Sequence, residues 1–135
     1  MGWLKEIFCW WDGNTWGTRL TIARQGRFVG MDDHGNSYYE QKEGVGPVGP
    51  LGRLRRWVTY KDLADPSKES PDWHGWLHYT VDKPPTVEGY TPRPWEKPHQ
   101  PNLTGTRDAY RPQGSIVGLG RRPKATGDYR PWRPD

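Results

Sequence analysis

Proline placement sets the first limit on this chain. Ten of its 14 prolines lie in residues 84–135. Each removes a backbone donor and obstructs the preceding turn, so ordinary helices and central strands are poor solutions for that stretch. Charge divides the chain at the same place. Residues 1–83 hold eleven Lys/Arg and eleven Asp/Glu, which cancel. Residues 84–135 hold nine basic and five acidic residues, and so carry the whole net charge of +4. Two regions are therefore expected: a small antiparallel-sheet domain with short helices over 1–83, and an extended Pro/Arg/aromatic strap over 84–135. Fully extended, the strap would reach on the order of 150 Å.

The chain as a whole has little aliphatic material from which to build a core. Leu, Ile, Val and Phe together make up 20 of 135 residues, below the roughly 20% at which independent folding becomes doubtful. Nine Trp and seven Tyr supply apolar area instead. Aromatics with a polar tip suit interfaces, so the chain reads as a subunit that buries part of its surface on a partner. Cys9 is the single cysteine, which excludes an internal disulfide and points to a reducing compartment. No apolar run approaches the roughly 20 residues that span a bilayer. The opening MGWLKEIFCWW has neither the length nor the flanks of a secretory signal, and lacks the Arg/Ser-rich character of a transit peptide.

Within the front, Trp3, Leu4, Ile7, Phe8 and Trp11 recur at helical steps and predict a short amphipathic helix. Its stripe suits packing on the sheet, and its Trp residues leave open contact with a partner or a peripheral contact with a membrane surface. Thr18–Arg24 and Arg27–Met31 read as strands around a Gln25–Gly26 turn. Asp33–Asn36 (DHGN) is a second turn, and Ser37–Gln41 a third strand. Residues 44–52 form a loop. Arg55–Tyr60 (RRWVTY) is a fourth strand, with Arg56, Val58 and Tyr60 on one face and Arg55, Trp57 and Thr59 on the other. The fold class is α+β: a small antiparallel β-meander with one or two short helices and a long extended C-terminal coil.

The stretch SPDWHGWLH, residues 70–78, poses the sharpest chemical question. Ser70 suits an N-cap, Pro71 the first helical position and Asp72 the positive end of the dipole, so a helix over 71–80 is expected. Trp73, Trp76, Leu77 and Thr80 then share a face, with His74 and His78 together on its flank. Two histidines four apart match a zincin helix, but Gly75 stands where the general-base Glu would be. A catalytic zinc also needs a third protein ligand and a structural one needs four. No spacing compels His34, His99 or Cys9 to converge on the pair. The histidines are accordingly read as polar struts, and no metal, no cofactor and no catalytic residue is expected.

Other chemistries fit less well. There is no GxSxG elbow and no Cys nucleophile signature. The run VGLGRR, 117–122, lacks a full glycine fingerprint and a strand–turn–helix setting for phosphate. Nucleic acid is the serious rival, because Arg beside Trp and Tyr on an extended strap could stack bases and neutralise phosphates. Against it, the net charge is modest and the Arg are interleaved with acids. No nucleic-acid partner is expected. The repeated RPW at 93–95 and 130–132, with Tyr90, Tyr110 and Tyr129, reads as spaced anchors for a protein surface.

The strings VGMDDHGNSYYE, RRWVTY, SPDWHGWLH, PPT and NLTGT with Tyr110 follow one another in an order that closely resembles one family. It is the accessory subunit of respiratory complex I (NADH:ubiquinone oxidoreductase) known as alpha-subcomplex subunit twelve. The likeness runs from about Thr18 to Tyr110, and FCWWDGNTWGTRL resembles the alphaproteobacterial branch. The family's motif residues fall on Gly30, Gly35, Asn36, Tyr38, Tyr39, Glu40, Arg56, Trp57, Tyr60, Pro71, Trp73, His74, Trp76, Leu77 and His78. Met31 and Gly75 depart from it, where relatives often have an acid and a larger basic residue.

The resemblance implies a non-catalytic, supernumerary subunit that stabilises or assembles the hydrophilic arm of complex I by docking and a C-terminal clamp. Core and accessory subunits of that arm are the implied partners, and a homo-oligomer is not expected. The implied place is peripheral, on the cytoplasmic side of a bacterial inner membrane or the matrix side of a mitochondrial one. A related assembly factor shares part of the pattern and is the alternative; the intact WLH and NLTGT stretches favour the structural subunit. Single-stranded nucleic-acid binding is the remaining alternative. Partner contacts are expected at Trp57, Trp73, His74, Trp76, His78, Trp95, Tyr110 and Trp132.

Overall fold

A computed structural model describes residues 13–117, 124–125 and 127–134. The predicted helix over Trp3–Trp11, and Cys9 with it, lies outside the described residues. The chain forms two compact units, Met1–Pro101 and Asn102–Asp135.

In the first unit, helix α1 (Trp16–Gln25) leads directly into β1 (Gly26–Met31), followed by β2 (Ser37–Gln41), β3 (Arg56–Thr59) and helix α2 (Pro71–Leu77). The strands form one antiparallel sheet in the order β1-β2-β3. The α+β meander therefore stands, with three strands instead of four.

The correction concerns Thr18–Arg24, expected as a strand and found inside α1. Alternating Thr18, Leu20, Ile22 and Arg24 imitates a strand, but local capping decides otherwise. Thr15 is the N-cap, its side chain accepting from the Thr18 amide at 3.3 Å. Only Ile22 of the helix is buried, while Leu20 keeps half its surface exposed, so apolar periodicity was a weak guide. Gln25–Gly26 is correspondingly a helix-to-strand junction. The Gly26 amide donates to the Ile22 carbonyl, and a β-carbon at 26 would lie 2.6 Å from that oxygen. Glycine is what lets the strand begin there.

β1 and β2 pair Phe28 with Tyr39 and Gly30 with Tyr38, leaving Val29 as the extra residue of a bulge. β3 continues the two rows, Tyr38 opposite Val58 and Tyr39 opposite Trp57. One face thus carries Tyr38 and Val58 toward α2, and the other carries Phe28, Tyr39 and Trp57. The β1–β2 turn falls where expected, with Gly35 at φ +82°.

The core is aromatic. Tyr38, Trp73 and Trp76 are buried together, with Val29, Val58 and Leu77 packed against them. Tyr38 stacks on Trp73 at 4.2 Å between centroids and 11° between planes. Trp76 meets both rings edge-on, at 6.5 and 5.7 Å, an arrangement the ring quadrupoles favour. Gly30 makes this closure possible: a β-carbon there would stand 2.8 Å from the Trp73 ring and 2.6 Å from the Thr86 methyl.

α2 ends at Leu77, three residues short of the expected 80. His78 is the C-cap, and Tyr79 turns to φ +60°, which a helix cannot continue through. Ser70 caps the other end without a side-chain hydrogen bond. The His74 amide donates to the Ser70 carbonyl at 2.9 Å.

Candidate partner-docking surface

Polar chemistry inside the first unit is concentrated in three places. The first is Asp32, buried at the β1–β2 turn. Its Oδ1 accepts from the His34 and Asn36 amides at 3.0 and 2.9 Å. Its Oδ2 accepts from Asn36 Nδ2 and the Tyr38 hydroxyl, both at 2.9 Å. Asn36 carries the network onward, donating to the Lys68 carbonyl at 3.1 Å and accepting from the Lys61 amide at 3.3 Å. Burial, and then the hydrogen bond to Asp32, push the Tyr38 phenol well above its ordinary range, so it remains a neutral donor. With every Asp32 oxygen engaged by the chain itself, this is a turn-locking device.

The second is Arg56, whose side chain is almost fully buried. It pairs with Glu40 at 3.3 Å. Its terminal nitrogens donate to the carbonyls of Trp76, Val81 and Asp82 at 2.5, 3.2 and 3.0 Å. The guanidinium lies 4.5 Å from the Trp76 ring centroid and 4.7 Å from that of Tyr79. One cation therefore ties β3 to the last turn of α2 at Trp76 and to the Val81–Asp82 segment that follows it.

The third is Glu69, buried immediately before α2. It accepts a short hydrogen bond from the Tyr60 hydroxyl on Oε1. Burial and this bond to Glu69 push the Tyr60 phenol well up. A carboxylate oxygen of Glu69 and one ring nitrogen each of His74 and His78 lie within 4.8 Å of one another.

The residues expected to bind partners separate into two classes. Trp73 and Trp76 are 4% and 1% exposed, which places them in the core of this unit rather than on its surface. A half-empty aliphatic core needed them inside. Trp57 is half-buried on the opposite sheet face, beside Tyr39 and Phe28. His74 and His78 are exposed on the flank of α2, with ring centroids 4.2 Å apart. Trp95, Tyr110 and Trp132 are 73%, 89% and 80% exposed.

The second unit has no regular helix or strand among its described residues, and none of those residues is buried. Tight turns organise it locally: the Thr106 amide donates to Leu103 O, and the Ser115 amide to Pro112 O, at 3.0 and 3.1 Å. Asn102 Oδ1 accepts from the Thr104 amide at 3.0 Å. Residues 84–101, which belong to the first unit, also lack helix and strand. There His99 Nε2 lies 2.7 Å from Ser67 O, and Lys83 pairs with Glu88 at 3.0 Å.

Sequence reasoning missed Asp32 and Glu69. For Asp32 a signal existed, because Asx residues before Gly-Asn turns accept from amides two residues on. For Glu69 there was none, because its neighbours Tyr60, just after β3, and His74 and His78, on α2 and its C-cap, are brought to it by the fold.

The sequence profile described as NADH ubiquinone oxidoreductase subunit NDUFA12 matches residues 26–134. The chain belongs to that family. A Dictyostelium discoideum protein is similar at 38% identity over 97 residues, covering 70% of this chain and 65% of its own length; it is named NADH dehydrogenase [ubiquinone] 1 alpha subcomplex subunit 12. The Bos taurus protein of the same name is 38% identical over 105 residues, covering 70% of this chain and 68% of its own length. The chain thus spans about two thirds of the length of these relatives. A Rickettsia prowazekii protein is 37% identical over 70 residues, 51% of this chain and 64% of its own. That relative agrees with an alphaproteobacterial form of the family. Among the described residues no helix is long and apolar enough to cross a membrane.

Proposed function

We propose that this chain is a non-catalytic accessory subunit of proton-pumping NADH:ubiquinone oxidoreductase. The helix–sheet unit docks on the hydrophilic arm, and the C-terminal region clamps neighbouring core and accessory subunits. Beyond family membership, one observation carries the clamp: no described residue after Asn102 is buried, although Tyr110, Tyr129 and Trp132 are large aromatics. A segment that buries nothing of its own leaves these rings to a partner, and such rings dominate binding energy where they are desolvated. Trp95 and the half-buried Trp57 join them as docking residues, with His74 and His78 as polar contacts. Trp73 and Trp76 act at one remove, by holding α2 against the sheet. Flavin, iron–sulfur clusters and quinone would belong to the partners. The proposed location is peripheral, on the cytoplasmic side of a bacterial inner membrane.

The test is fractionation of membranes in mild detergent, followed by sizing and quantification. A subunit co-migrates with active NADH:quinone reductase at one copy per complex. Presence only in smaller, inactive intermediates would make the chain an assembly factor, and absence from both would overturn the reading.

A further inference from the structure

The flank of α2 holds a group of side chains whose mutual arrangement docking alone does not account for. His74 and His78 project from successive turns, their rings 4.2 Å apart and tilted by 36°. Among the described residues, no side-chain hydrogen bond engages either imidazole. Beneath them lies Glu69, only 5% exposed. Its Oε1 is held by the Tyr60 hydroxyl, but Oε2 is fully buried and has no hydrogen-bond partner. A buried carboxylate oxygen without a partner is costly, on the order of 1–3 kcal/mol or more, and calls for a cation or donor to balance it. One ring nitrogen of each histidine lies with a Glu69 carboxylate oxygen inside a 4.8 Å set. Among the described residues no second trio of His, Cys, Asp or Glu does so.

We infer that Glu69, His74 and His78 form a three-ligand site for a divalent transition-metal cation of the zinc class. The sequence had offered the histidine pair without a third ligand; the fold supplies it from the residue before the Ser70 N-cap. Two imidazoles and one carboxylate are the donor set of a zinc site with an open position, and imidazole disfavours Mg2+ and Ca2+. Bonds of about 2.0–2.2 Å put ligand atoms roughly 3.3–3.6 Å apart in a tetrahedron. Closing from 4.8 Å needs about an ångström of adjustment, which the exposed His74 and His78 side chains can make by rotation while Glu69 stays fixed. Tyr60 orients the carboxylate from behind, as outer-shell donors do at metal sites. Because both histidines are exposed, the fourth position faces outward, open to water. The ion would tie the segment before α2 to the helix and neutralise Glu69.

Full-length chain stripped with chelator and titrated with Zn2+ by calorimetry should bind one equivalent. Titration with Co2+ should give the intense visible absorption of four-coordinate N/O ligation. H74A and H78A change exposed side chains and should keep the fold by circular dichroism, yet weaken binding at least about tenfold. E69Q should do the same. His34 and His99, whose rings lie 6.3 Å apart elsewhere on the unit, provide the control: the double variant H34A/H99A should bind as the parent does. No saturable binding at one equivalent would overturn the site. So would affinity unchanged in H78A, or affinity lost only in H34A/H99A.

Discussion

Trp76 and Trp132 are the same residue in opposite surroundings, one exposing 1% of its surface and the other 80%. Trp76 is edge-on to Tyr38 and Trp73 and covered by the Arg56 guanidinium. Trp132 belongs to a unit in which no described residue is buried. The difference teaches how so aliphatic-poor a chain uses its aromatics. Among the six described tryptophans, Trp73 and Trp76 replace the missing Leu and Ile of the core. Others are carried outward at intervals along proline-rich backbone. The first group builds the core of the folded unit, and the second is the group that the proposed clamp assigns to partners.

The largest expected effect breaks the first group. W76A removes the ring on which Tyr38, Trp73 and Arg56 all rest, and should cost about 3–5 kcal/mol of stability. Denaturant unfolding checks it, and a loss below about 1 kcal/mol would mean the aromatic cluster is not the core. The second group should behave in the reverse way. W95A and W132A should each leave the unfolding free energy within about 0.5 kcal/mol, while weakening retention in the enzyme complex by about 2 kcal/mol, near thirtyfold. Competition of variant against parent chain for the complex measures this. Equal retention would remove the clamp.

The two groups were not equally legible. Trp73, Trp76 and Leu77 at helical spacing behind Ser70-Pro71 announced a buried helix face, and β2 fell on Ser37–Gln41 as its alternation required. α1 was misread because Thr and Ile at alternate positions mimic a strand, whereas the deciding term was one cap at Thr15. Which sheet face Trp57 takes was beyond the sequence. It is set by the β2–β3 register, which places Trp57 opposite Tyr39 on the face away from α2, whereas Trp76 is positioned by its spacing along α2. Glu69 beside His74 and His78 was hidden for the same reason, because it meets them through tertiary packing.

A smaller effect sharpens the account of the core. Tyr38 ionises near its ordinary 10.0 when unfolded but is held well above that when folded, by burial and by its bond to Asp32. The unfolded state therefore releases a proton that the folded state keeps. Stability from this group is complete below about pH 10 and falls as pH rises beyond it, by at most about 1.4 kcal/mol per pH unit. Tyr60 acts in the same direction. Y38F should lose about 1 kcal/mol at neutral pH, since Asp32 Oδ2 keeps its Asn36 donor, and should show a shallower decline between pH 10 and 11. An identical decline in both proteins would assign the alkaline loss elsewhere.

The smallest expected change is a gain, and it separates folding from docking on α2 itself. Gly75 lies in the helix interior, and an added β-carbon would meet only the Val81 methyl at an ordinary 3.6 Å. G75A should therefore raise stability by about 0.4–1 kcal/mol, by restricting the unfolded chain. Between His74 and His78, the same methyl would also project near the exposed flank of the helix. If G75A stabilises the isolated chain but weakens its retention in the complex, the α2 flank touches a partner. If it stabilises and retention is unchanged, docking rests on Trp95, Tyr110 and Trp132, and the flank remains free for the cation.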